Sequence, residues 1–97
     1  MNLFDYSLPQ NGEQFTTLLE HKNVKIVRIL TTSVPDCNSY CQDEDEWVMV
    51  LEGEATLEVE GKAKVLQRGD MLFIPAKTSH KILHTAKGTL WLAVHIF

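Results

Sequence analysis

The sequence predicts an all-β sandwich or barrel, and three observations carry that prediction. About seven short segments are rich in β-branched and apolar residues. Turn residues separate them at regular spacing. Almost nothing is left over for helix. The one exception is Glu13 to Glu20, EQFTTLLE, which reads as a short helical turn before the strands begin. With 97 residues there is room for one core, so residues 1–97 are expected to form a single domain whose first twenty residues wrap its outside.

The strands follow in order. Val24 to Leu30 is a dense β-branched run, and Trp47 to Leu51 is an apolar run of strand length. Ala55, Leu57 and Val59 alternate with Glu54, Thr56, Glu58 and Glu60, a period of two with one wet face. Glu60-Gly61-Lys62 turns the chain into a hairpin partner. Arg68-Gly69-Asp70 turns again into Met71 to Ile74, which Pro75 closes, and His80 to Leu83 and Thr89 to Phe97 complete the set. The last segment, TLWLAVHIF, is apolar on both parities. A barrel this small leaves one face of most strands open, so its outer face is expected to meet a second copy of the chain, with Trp47, Trp91 and Phe97 as outward anchors of a homodimer.

Composition narrows the function classes. Nine Lys and Arg against thirteen Asp and Glu leave a formal charge of −4, which argues against a nucleic-acid partner, since such a protein needs a basic stripe. Eight acids crowd between Asp43 and Glu60, whereas six bases and one acid follow Gly61, a pattern usual for solvated faces. No apolar run reaches the length of a membrane span, and the start lacks a basic region followed by an apolar one. The expectation is a cytoplasmic chain with no membrane partner. Cys37 and Cys41 have three residues between them and no second Cys/His pair, so they read as reduced loop thiols rather than a zinc site.

Two stretches resemble the cupin family. Gly69-DMLFI-Pro75-AKTS-His80 has the glycine, proline and histidine spacing of the second cupin motif, and Glu46-WVMVLE-Gly53 has the spacing of the latter half of the first. The resemblance implies a cupin-type double-stranded β-helix, or jelly-roll barrel, with motif one near residues 39–53 and motif two at 69–84. It does not imply one activity, because the fold hosts many.

Departures from the pattern bear on the chemistry. Metal-binding cupins carry His-x-His three or four residues before the glutamate. Here one register places Tyr40 and Gln42 at those positions and the other places Ser39 and Cys41. Lys77 stands where motif two has glycine, and His84 where it has asparagine. Glu46 and His80 are therefore the retained ionisable positions and the candidate catalytic pair. Strand alternation puts residues 46, 48 and 50 on one face, and 80, 82 and 84 likewise.

Three readings follow. In the first, a metal-free pocket holds Glu46 and His80 as an acid/base pair, with Tyr40, Gln42 and His84 as polar contacts to a small ligand. In the second, Gln42, Glu46 and His80, or Cys41 in the other register, hold one divalent ion (Zn, Mn, Fe or Ni) for isomerase, hydrolase or dioxygenase chemistry. In the third the pair is structural only. His84 does not help a single ion, since four residues of straight strand put it ~13 Å from His80. His95 on the last strand is a further donor or simply a packed core histidine. The pocket reading is placed ahead of the metal because both motif-one histidines are missing.

Overall fold

The computed structural model describes residues 1–34 and 39–97, so Cys37 lies outside the described residues. Nine strands run in chain order among them: β1 Glu13–His21, β2 Val24–Thr31, β3 Ser39–Tyr40, β4 Asp45–Glu52, β5 Glu54–Val59, β6 Lys62–Gln67, β7 Met71–Ile74, β8 His80–Thr85 and β9 Thr89–Ile96. They form two antiparallel sheets, β1-β2-β9-β4-β7 and β3-β8-β5-β6, packed as the all-β jelly roll that the motifs imply. No helix long and apolar enough to cross a membrane occurs among the described residues.

The expected helical turn at Glu13 to Glu20 is instead the edge strand β1. It pairs along its length with β2, Phe15 opposite Ile29 and Thr17 opposite Val27. Local propensity loses here to a long ladder offered by a β-branched neighbour. A bulge between Thr17 and Leu19 then flips the parity, which turns Leu19 outward at 50% exposure. The first twelve residues precede β1 and run outside the sheet. Arg28, on the outer face of β2, holds them there by donating from Nη1 to the carbonyls of Leu3 and Asp5. Its guanidinium also lies 5.6 Å from the centre of the Tyr6 ring.

Between the sheets sit Val27, Ile29, Val48, Val50, Ala55, Leu57, Ile74 and Ile82, together with Trp91 and Ala93. Val48, Val50 and Ile82 thus face inward as the alternation predicts. Trp91 does not face outward as expected: it is 3% exposed, on the inner face of β9 beside Ala93. Both parities of that strand are apolar, so hydropathy cannot tell its faces apart. The indole supplies the reason for the inward choice. Its Nε1 donates to Thr31 Oγ1 at 3.1 Å, and Thr31 Oγ1 lies 2.7 Å from Thr85 Oγ1, which in turn donates to the carbonyl of Ala86. This buried chain ties β2 and β9 of one sheet to β8 of the other.

Candidate functional site

The motif loops meet at one end of the interior. Asp45 Oδ1 accepts from the Ala76 backbone N–H at 2.8 Å, and the Lys77 N–H donates to the Gln42 carbonyl at 2.7 Å. Lys77 has φ 59°, a left-handed conformation, which accounts for the glycine that the motif carries there. These two bonds hold the β3–β4 and β7–β8 connections against each other. They also place Gln42, Glu46 and His80 side by side.

Glu46 is the centre of the cluster. It is buried on β4, and its Oε1 accepts from Gln42 Nε2 at 2.8 Å. His80 Nε2 stands 3.9 Å from Oε1, and His95 Nε2 stands 3.8 Å from Oε2. His95 reaches this position because β9 pairs with β4 and sets it directly opposite Glu46. Both imidazoles are oriented from behind. His80 Nδ1 lies 3.1 Å from the Thr78 carbonyl, and His95 Nδ1 lies 3.0 Å from Glu44 Oε2. Each of those oxygens can only accept, so each Nδ1 carries a proton and each Nε2 is turned toward Glu46. Tyr40 stacks on His80, with ring centroids 5.5 Å apart, and its hydroxyl donates to Glu13.

Glu13, Tyr40, Gln42, Glu46, His80 and His95 wall a cavity of about 90 Å³ between the sheets, with Phe15, Trp91 and Ile74 among its apolar lining. A buried water needs roughly 10–15 Å³ in the same measure, so the space holds several waters or a compact ligand. No lysine or arginine lines it among the described residues.

The expected contacts therefore divide. Tyr40, Gln42, Glu46 and His80 come together. His84 does not, because β8 bulges where it pairs with β5: Thr56 faces His84, but the next residue, Leu57, faces Ile82. The extra residue breaks the alternation, and His84 points outward, exposed. Cys41 is also exposed and does not line the cavity, so the register that made it a ligand is not the one adopted. Residue alternation on the approach to β4 brings Gln42 inward and turns its neighbour out. Glu13 reaches the cavity because its segment is the strand β1 and not a helical turn. Glu44 has no sequence signal as a partner of His95, which lies 51 residues away.

Among the described residues no group of three or more His, Cys, Asp or Glu side chains is arranged to hold an ion. His80 Nε2 stands 3.9 Å from one oxygen of Glu46 and His95 Nε2 3.8 Å from the other. As placed, they do not fit a single ion.

A cupin-domain family model matches residues 38–95, more than half of the chain. The chain belongs to the cupin family. Solved structures agree with that membership of this cupin. One, from Ralstonia eutropha JMP134 and provisionally named a mannose-6-phosphate isomerase, is 40% identical, with a TM-score of 0.88 over 99% of this chain and 95% of its own. An RmlC-like cupin from Shewanella frigidimarina NCIMB 400 is 22% identical, with a TM-score of 0.78 over 89% of this chain and 77% of its own. A cupin superfamily protein from Desulfitobacterium hafniense DCB-2 is 20% identical, with a TM-score of 0.80 over 95% and 84%. The last two speak for the fold alone. No curated protein matches this cupin.

Proposed function

We propose that this cupin binds a small polar ligand in its interior, with Glu46 and His80 as the acid/base pair that meets it. The observation that carries the reading is the joint placement of Glu46, His80 and Gln42 on the wall of a cavity whose remaining surface is mainly apolar. A few convergent polar groups in an apolar hollow are the usual make-up of a small-molecule site. Glu46 can take a proton from a bound ligand while His80, held by Thr78, faces it across 3.9 Å. Proton transfer of this kind suits an isomerase, the class that the name of the Ralstonia relative suggests. A phosphorylated sugar would nevertheless meet two carboxylates in the wall, Glu13 and Glu46, and no Lys or Arg.

The test is a thermal-shift screen of small polar compounds against the wild type and His80→Gln. A binding compound raises the melting temperature of the wild type in proportion to the logarithm of its concentration, and the shift shrinks in the variant. Shifts of equal size in both proteins would contradict the assignment.

The second reading is divalent-metal chemistry. The observation in its favour is that both imidazoles have Nδ1 anchored and Nε2 turned inward, the second-sphere arrangement of metal-bound histidines. It requires His80, His95 and Glu46 to move onto a common point, which the described geometry does not provide, and so it stands second.

A homodimer in the cytoplasm is part of the same proposal. The outer face of the larger sheet carries Met71 and Phe73, exposed at 58% and 51%, beside half-buried Trp47, Met49 and Val94. An apolar stripe of this kind calls for a partner, and a two-fold copy is the commonest one. Sedimentation equilibrium at micromolar concentration should give twice 11.0 kDa, and Phe73→Glu should return it to the monomer mass. A monomer mass for the wild type would contradict the pairing.

A further inference from the structure

We infer that the ligand this cavity takes is a small organic cation, its ammonium group seated on Glu46. The inference rests on the pocket reading and names the ligand class. Glu46 is 7% exposed, and its carboxylate accepts one hydrogen bond among the described residues, from Gln42 to Oε1. The two imidazole Nε2 atoms stand at 3.8 and 3.9 Å, beyond hydrogen-bond reach. Their Nδ1 protons are committed elsewhere, to the Thr78 carbonyl and Glu44. Among the described residues Oε2 has no hydrogen-bond donor in reach, and His95 Nε2 stands at ion-pair distance from it. A carboxylate on a cavity wall with one hydrogen bond keeps acceptor capacity that a positive group or further donors of a ligand can fill.

The rest of the wall says what kind of positive group. Glu13 adds a second carboxylate at the same cavity, whose wall also holds His80 and His95 but no Lys or Arg among the described residues. Phe15, Tyr40 and Trp91 contribute aromatic rings, which attract a cation through their faces and cover an alkyl body at the same time. A metal ion uses neither service, and no group of donors among the described residues is arranged to hold one. A phosphate or carboxylate ligand would stand against like charge in a low-dielectric space. An alkylammonium compound of three or four carbons matches both the charge and the apolar lining.

The test uses a series that changes only the head group: 3-amino-1-propanol, 1,3-propanediol and 3-hydroxypropionate, with mannose 6-phosphate and manganese or zinc chloride as further arms. Thermal unfolding of the full chain is followed at pH 7 and constant ionic strength. The amine is expected to raise the melting temperature progressively up to tens of millimolar, while the diol and both anions leave it in place. Glu46→Gln should weaken the apparent affinity for the amine at least tenfold. If that variant fails to fold, Glu13→Gln serves in its place, with a smaller loss. Glu58→Gln, on the outer face, should change nothing.

An equal response to the diol would overturn the cationic class and leave the pocket reading standing. Stabilisation by either anion, or by a metal ion alone, would overturn it outright. Silence from every arm would overturn it too, and the pocket reading would fall with it only if the wider polar screen were also silent.

Discussion

Replacing Trp91 with alanine should lower the unfolding free energy by about 3–5 kcal/mol, the range for deleting a buried large aromatic side chain. Two losses add. The indole leaves a hole at the centre of the core, beside Val50 and Ile29, which its strand neighbours cannot close. Thr31 Oγ1 also loses the N–H that it accepts, in a chain that joins the two sheets. Trp91→Phe keeps most of the packing and drops only the donor, so it should cost roughly 1–2 kcal/mol. Urea unfolding measures both. A loss under 1 kcal/mol for the alanine variant would show that Trp91 does not hold the core as described.

Gly53→Ala should cost about 2–4 kcal/mol, from two separate sources. Gly53 turns β4 into β5 with φ 86°, a conformation that an L side chain resists. An added Cβ would also lie 2.6 Å from Thr89 Oγ1 and 2.9 Å from Thr89 Cα. Thr89 cannot step aside: it is fully buried, and β9 runs between β2 and β4. Gly61 is the control. Its φ is 80°, but nothing lies within 4 Å of a Cβ built there, so Gly61→Ala should pay the backbone term alone, about 1–2 kcal/mol. Equal losses at the two glycines in urea unfolding would remove the close approach to Thr89 from the account.

Much of this was legible in the sequence, and the failures have physical causes. Alternation at Ala55 to Val59 and the motif spacings around Gly53, Gly69 and Pro75 name the fold, because turn chemistry and a period of two are local signals. Glu46 and His80 are legible for the same reason. His84 fails because a single bulged residue in β8 reverses every later side chain, and nothing in HKILHT announces a bulge. Trp91 fails because β9 is apolar on both faces, so parity carries no information about which face is wet. Glu13 fails because a strand at the edge of a sheet is decided by its neighbour rather than by its own composition. His95 is visible as a histidine, but its meeting with Glu46 depends on β9 lying beside β4, a pairing between segments nearly fifty residues apart.

The central claim is that Glu46 and His80 act as one interior pair, and a double-mutant cycle tests it most directly. Glu46→Gln, His80→Gln and the double variant are unfolded in urea at pH 7, and the four free energies give the coupling between the sites. Each single variant should lose about 1–3 kcal/mol, less than the loss for a dry ion pair because the cavity lets water reach the group left behind. The double variant should lose at least 1 kcal/mol less than the sum of the two. Losses that add within about 0.3–0.5 kcal/mol would mean that the two groups do not sense one another, and would contradict the account.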